Sequence, residues 1–401
     1  MNVAETRGSG GAAVEFRHVT KRYDTADRDR DRDRNSAATP GAVNDLSLLV
    51  PPGEICVLVG PSGCGKTTSL KMVNRLVEPT SGEVLIDGAA VGSMEVTSLR
   101  RRIGYVIQQV GLFPHQTIAD NVATVPRLLG WPKDRIRARV AELLTLIGLD
   151  PAKVGKRYPA QLSGGERQRV GVARAMAADP PVMLMDEPFG AVDPIVRDRL
   201  QNEFLRLHRT LRTTVLFVTH DIDEAIKMGD RVAVMQQGGH LAQYARPAEL
   251  LLNPASEFVG RFVGSDRGLK RLALMTVADA KLDTAVTARE GEPAGAVRQR
   301  ADAAHARWVL VLDAADRPLG WARAEQLRSS AQPLAAGLAD PSSPIVQLDT
   351  TLRDALSRLL ESAVQTAVVV DDGGRYLGAL TVDALGAAFR TAPAQDPVAV
   401  P

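Results

Sequence analysis

The residues best suited to chemistry lie at three places in the chain. The first is Gly60-Pro61-Ser62-Gly63-Cys64-Gly65-Lys66-Thr67-Thr68, preceded by the apolar run Ile55 to Val59 and followed by the helix-competent run Ser69 to Leu76. Glycines let a backbone curl so that several N–H groups face one anion. A helix start directly behind adds unpaired N–H groups and the positive end of its dipole. Lys66 adds a full charge suited to the outer phosphates of a nucleotide, and Thr67 adds a hydroxyl suited to Mg²⁺. The second place is Asp186-Glu187, two acids ending the apolar run from Pro181. Carboxylates at the C-terminal end of a buried parallel strand sit where open α/β sheets bind ligands. The third is His220, the polar tip of the apolar run Val215 to Val218.

The elements that must position these groups follow from periodicity. Val14 to Val19 alternates like an edge strand, and Val43 to Val50 reads as another, with Pro51-Pro52-Gly53 turning into the Ile55 strand. Tyr23, just past the first strand, is either a strand-end packing residue or a platform for an adenine ring. Strands are expected at Glu83 to Gly88 and Ile103 to Ile107, the latter ending at Gln108-Gln109. Ile136, Val140, Leu143, Leu144 and Ile147 fall on one helix face, stopped by Gly148 and Pro151. Ser163 reads as the N-cap of a helix running through Ala178, and Gly164 and Gly165 behind it weaken the helix start while baring N–H groups.

The chain has 401 residues, enough for two or three domains, and 45% are hydrophobic, enough for a substantial core. The net charge of +2 gives no global argument for nucleic acid as a partner. Neither of the two cysteines, Cys56 and Cys64, has Cys or His partners at metal spacing, and two thiols without a disulfide framework fit a reducing cytosol. No run approaches the ~20 apolar residues of a membrane span, so any membrane role is expected to go through a partner. Met1 to Ala13 is read as a disordered lead, and 25–40, which holds a strict Asp-Arg alternation, as a disordered insertion.

These motifs, in this order, carry a resemblance. Residues 14–264 resemble the nucleotide-binding subunit of ABC transporters, and Leu162-Ser163-Gly164-Gly165-Glu166-Arg167-Gln168 is the decisive signature. The resemblance implies a P-loop NTPase fold of the α/β class: a RecA-like core, a helical subdomain carrying the signature, and an antiparallel β subdomain. It implies ATP and Mg²⁺ as cofactors and hydrolysis to ADP and phosphate. Tyr23 would stack on adenine. The loop Gly60 to Thr68 would hold the phosphates. Thr67 and Gln108 would coordinate Mg²⁺, with Asp186 reaching it through water. Glu187 would act as general base, with His220 bridging the γ-phosphate. Ser163, Gly164 and Gly165 would face the partner's ATP in a head-to-tail homodimer, and Asp193 would sit at its seam. Transmembrane permease subunits would dock near Gln108 to His115, placing the chain at the cytoplasmic face of the membrane.

A finer resemblance points to importers of compatible solutes: glycine betaine, choline, carnitine or proline betaine. It rests on Ile103 to His115, on His220-Asp221-Ile222-Asp223-Glu224-Ala225 and on Asn253 to Val259. An extracytoplasmic solute-binding protein is then an indirect partner. After 264, with 265–275 read as a linker, an internal repeat appears: Trp308 to Gly320 matches Ala367 to Gly378, at an offset of 58 residues. Each copy, 276–334 and 339–388, reads helix, strand, turn, strand, helix, and neither buries both its faces alone. The pair resembles a tandem CBS module, followed by a disordered tail at 389–401. Two readings stay open for it: a sensor taking an adenine nucleotide, or a packing module. In the family a ribose-binding acid lies three residues after Thr or Ser, whereas Thr381 and Asp383 are two apart and the first copy has Arg323 and Glu325. Other ABC classes fit less well. Translation or DNA ATPases fuse two halves, exporters lack the CBS-like tail, and a non-hydrolysing regulator would lack Glu187 or His220.

Overall fold

The computed structural model describes residues 10–23, 42–107, 111–190, 192–327, 334, 344–362 and 364–391. They divide into two compact units, between Gly264 and Ser265. The strands of the first unit are β1 (Val14–Lys21), β2 (Val43–Val50), β3 (Ile55–Val59), β4 (Ser81–Ile86), β5 (Ala89–Ala90), β6 (Ile103–Val106), β7 (Val182–Asp186), β8 (Thr214–Thr219), β9 (Arg231–Gln236) and β10 (His240–Ala245).

Two sheets result. One is antiparallel with order β2-β1-β4-β5, and the other has order β10-β9-β3-β8-β7-β6. In the second, β6, β7, β8, β3 and β9 pair in parallel and β10 closes the edge antiparallel to β9. The apolar runs of the sequence become its centre, for β3, β7 and β8 are buried along their whole length. Their side chains alternate between two cores, as a period of two requires. Val57, Val59, Met183, Met185, Val215 and Phe217 pack toward the helical layer. Cys56, Leu58, Leu184, Leu216 and Val218 pack with β1, β2 and β4 on the other face. The helix Lys133–Leu146 buries Ile136, Val140, Leu143 and Leu144 in the first core, with Ile147 at its C-cap.

Several expectations are corrected. The phosphate-loop helix spans Lys66–Val73 rather than 69–76. Gly65 at its N-cap takes the left-handed conformation, which lets the helix begin inside the loop, and Arg75 with φ 47° ends it. Residues 11–13 are not a loose lead: Gly11 N donates to Arg212 O, Ala12 N to Pro181 O, and Ala13 N to the Asp87 carboxylate. Residues 1–9, 24–41 with the Asp-Arg insertion, and 392–401 of the expected tail lie outside the described residues.

In the second unit each repeat forms a three-stranded sheet: β11 (Thr287–Arg289), β12 (Trp308–Leu312) and β13 (Pro318–Arg323), then β14 (Ile345–Gln347), β15 (Thr366–Val370) and β16 (Tyr376–Thr381). Each opens with a short parallel strand that the sequence reading missed. Three residues are too few to show a period. The first copy ends on a 3-10 turn, Ala324–Leu327, where a helix was expected. The stretch read as a linker carries the helix Arg267–Leu272, with Leu272 and Met275 buried in this unit's own core. Alternate residues decide the pairing of the copies. Val309 and Val311 face their own repeat, while Leu310 and Leu312 with Trp321 pack against Val368 and Val370 of the other. The matched aspartates build equivalent turns, Asp313 accepting from Ala315 N and Arg317 N, and Asp371 from Gly373 N and Arg375 N.

Candidate active site

The parallel register puts the C-terminal ends of β3, β7 and β8 side by side, with Val59 beside Thr219 and Asp186 beside Val218. The phosphate loop follows β3. Gly60, Gly63 and Gly65 have φ of 155°, 79° and 93°. Lys66 is 8% exposed, and its Nζ donates to the carbonyls of Gly60 at 2.7 Å and Pro61 at 3.0 Å. The ammonium thus lies inside the loop, against its carbonyl side, leaving the loop's N–H groups to an anion. Pro61, Ser62, Cys64 and Thr68 complete the loop. Cys64 is buried and its thiol is pushed up by that burial. Cys56, on β3, is pushed up to about 12 for the same reason, so it behaves as an apolar side chain.

Thr67 Oγ1 donates to Asp186 Oδ1 at 3.1 Å, joining positions 119 residues apart. A hydroxyl and a carboxylate at the tips of adjoining elements form a hard-oxygen donor set. Glu187 follows with φ 47°. Its N–H donates to Val218 O at 3.0 Å, which turns its carboxylate toward β8. There His220 Nδ1 stands 3.0 Å from Glu187 Oε1. The Glu187 side chain is 24% exposed and that of His220 65%, so the pair opens to solvent on one side.

Burial pushes the Asp186 carboxyl above its ordinary range, opposed by the Thr67 hydroxyl bond and reinforced by the Glu187 charge. A carboxyl raised on folding favours the protonated native state, so its contribution to stability is present below the unfolded value and lost as pH rises through the folded one. Asp186→Asn, whose amide oxygen can still accept from Thr67, is therefore expected to raise the melting temperature at about pH 8. That gain should vanish toward about pH 4, where the unfolded carboxyl protonates. Thermal unfolding at the two pH values measures it. A lower melting temperature for the variant at the higher pH would overturn the sign.

The structure therefore joins Lys66, Thr67, Asp186, Glu187 and His220 around one point. Ser163, Gly164 and Gly165 stand elsewhere, at the start of the helix Gly164–Met176, where Ser163 Oγ accepts from Glu166 N and Glu166 Oε2 accepts from Ser163 N. This capping box fixes the helix start and leaves Ser163 and Gly164 exposed. Asp193 caps a second helix, Pro194–Leu211, accepting from Ile195 N and Val196 N. Tyr23 is half-buried past β1, with Lys21 Nζ 5.0 Å from its ring centroid. Gln108 lies outside the described residues. In the second unit, Thr381 Oγ1 donates to Asp283 at 2.7 Å and accepts from Ala384 N, and Arg323 pairs with Glu325 at 3.6 Å. One contact escaped the sequence reading. Gln168 is 2% exposed, and its Nε2 donates to Glu187 O at 3.0 Å. The available signal was an amide on the apolar side of an otherwise amphipathic helix. Among the described residues no group of three or more His, Cys, Asp or Glu is placed to hold a metal, and no helix is long and apolar enough to cross a membrane.

Comparison with known proteins bears on this geometry. The family model described as "ABC transporter" matches residues 43–190, and that described as "CBS domain" matches 336–388. The chain is 50% identical to the osmoprotectant import ATP-binding protein OsmV of Salmonella typhimurium, over 85% of this chain and 89% of that protein. It is 42% identical to the glycine betaine/carnitine/choline transport ATP-binding protein OpuCA of Bacillus subtilis, over 85% and 90%. Among solved structures, the ATP-binding cassette MJ0796, a dimer in a post-hydrolysis state bound to ADP and Pi, aligns with a TM-score of 0.51 at 31% identity. It covers 58% of this chain and 98% of its own.

Proposed function

Taking as premise that the chain belongs to the family of ABC-transporter ATP-binding subunits that serve osmoprotectant import, we propose that it hydrolyses ATP to drive uptake of a quaternary amine such as glycine betaine, choline or carnitine. The observation that carries the reading is the convergence of Lys66, Thr67, Asp186, Glu187 and His220 at the tips of β3, β7 and β8.

The donor set of Thr67 and Asp186 suits Mg²⁺, with Gln108 as a third ligand. When bound, Mg²⁺ would neutralise charge on the outer phosphates. Lys66 leaves the Gly60 and Pro61 carbonyls for those phosphates, and the loop N–H groups hold them. Glu187 takes the proton of the attacking water as its oxygen bonds to the γ-phosphorus and the bond to the β-phosphate oxygen breaks. His220, 3.0 Å from that carboxylate, orients water and γ-phosphate together. Tyr23 stacks on the adenine.

In-line attack on a γ-phosphate needs charge stabilisation on several sides. Ser163 and Gly165, at an exposed helix start, complete a second copy's site, with Asp193 at the seam of a head-to-tail homodimer. Closing of that dimer on ATP moves permease subunits docked near 108–115, and a solute-binding protein delivers the solute outside. The chain is thus peripheral at the cytoplasmic face of the membrane. The CBS module regulates the cycle, with an adenine nucleotide as its candidate ligand.

Uptake of labelled solutes at high osmolarity tests this. Cells lacking the gene should lose accumulation of glycine betaine, choline or carnitine, and the wild-type gene should restore it. Unchanged uptake of all three would remove the assignment of substrate class.

A further inference from the structure

We propose that Gln168 is a positioning residue for Glu187, tying the signature helix of a chain to the general base of the same chain. The inference rests on the reading of Glu187 as that base.

Glu187, with φ 47°, holds a left-handed conformation that a residue with a Cβ does not adopt freely, because the Cβ crowds the following carbonyl oxygen. It persists only where its surroundings over-determine it. Three bonds to its backbone contribute here. Glu187 N donates to Val218 O at 3.0 Å on β8, Gly190 N donates to Glu187 O at 3.2 Å, and Gln168 Nε2 donates to the same oxygen at 3.0 Å. The first two belong to the core of the sheet and to the turn itself. The third arrives from another element, the helix Gly164–Met176.

That helix has two ends with work to do. Its start, Ser163 to Glu166, is locked by the capping box, so a displacement there moves Gln168, little more than one turn along, as part of a rigid body. Toward its other end Arg174 Nη1 donates to Gly111 O at 2.6 Å, in the loop following 108–110. A rotation of this helix therefore acts on the Glu187 carbonyl, and through the peptide on the carboxylate that faces His220. In a closed dimer the exposed start would feel the partner's ATP, and Gln168 would report that contact to its own base. Gln168 would then be one link coupling the two ATP sites.

The test uses the full chain with Gln168→Met, which keeps the length and loses the donor, and Gln168→Asn, which keeps the amide and shortens its reach. Each should lower kcat by about 5- to 10-fold, the usual weight of one hydrogen bond, with KM for ATP within about twofold and the melting temperature lowered by no more than about 4 °C. In the Glu187→Gln background neither should slow the residual turnover further, because the base they position is gone. The inference is overturned if kcat is unchanged in both variants, if KM and melting temperature move in step with kcat, or if the effects multiply in the double variants. Glu187→Gln alone separates the two readings. If it still turns over like wild type, the base assignment fails; if it is inactive while both Gln168 variants are normal, only this inference fails.

Discussion

Glu187→Gln is expected to lower ATP turnover by about 10²- to 10⁴-fold, the range a positioned general base contributes, while leaving ATP binding intact. The substitution keeps the shape of the side chain and removes its ability to take a proton. It also removes a negative charge that pushes the Asp186 carboxyl upward, so the donor set of Thr67 and Asp186 is eased rather than disturbed. Binding and chemistry should therefore separate. Because hydrolysis is what would release a dimer held together by ATP, the variant should accumulate as that dimer when ATP is added. Size-exclusion chromatography with and without ATP, beside a phosphate-release assay, checks both. A variant that stays monomeric and still hydrolyses ATP would remove Glu187 from its role.

Gly65→Ala is expected to be among the most damaging single changes in the phosphate loop. Gly65 has φ 93°, and a Cβ built there would lie 2.0 Å from the Ala42 carbonyl oxygen and 3.0 Å from Val43 Cγ2. The first contact is with backbone, which cannot swing aside as a flexible side chain would. Left-handed strain of about 1–2 kcal/mol and an overpacking cost of about 1–3 kcal/mol add at this position. A total near 3 kcal/mol corresponds to a drop of about 10 °C in melting temperature for a domain of this size. Gly65 O also accepts from Ser69 N at 2.8 Å and Ser69 Oγ at 3.0 Å, so any escape of the residue loosens the first turn that carries Lys66 and Thr67. ATP binding should be lost with it. Gly63→Ala is the control. Its φ is 79°, but an added Cβ meets nothing within 4 Å, so only the strain applies and the fold should survive. Differential scanning calorimetry with a nucleotide-binding assay distinguishes them. Equal behaviour of the two variants would mean that the close approach to Ala42 is not part of the native state.

The second unit illustrates how a repeat divides its residues. Leu310 and Leu312 on one copy and Val368 and Val370 on the other form a shared core, while Val309 and Val311 stay with their own sheet. The aspartates that make the repeat visible in the sequence, Asp313 and Asp371, are turn residues that hold backbone N–H groups. Their recurrence is explained by the turn. Thr381, which carries the resemblance to a ribose site, is engaged with Asp283 and with the start of the helix Val382–Thr391.

What the sequence determined by itself is whatever acts over a few neighbouring residues. The phosphate loop is contiguous, so its glycines, Lys66 and Thr67 announce it without any distant contact. The unbroken apolar runs of β3, β7 and β8 mark strands covered on both faces, and the period of 3.6 in Lys133–Leu146 says which of its side chains are buried. What only the tertiary structure decided is the meeting of groups far apart in the chain. The order β3-β8-β7 brings Thr67 to Asp186 and Glu187 to His220, and that order depends on long crossover connections that leave no local mark. The left-handed turn at Glu187 belongs with these, since a glutamate carries no local preference for it. It exists because Val218 and Gln168, from two distant places, add their bonds to the local one from Gly190.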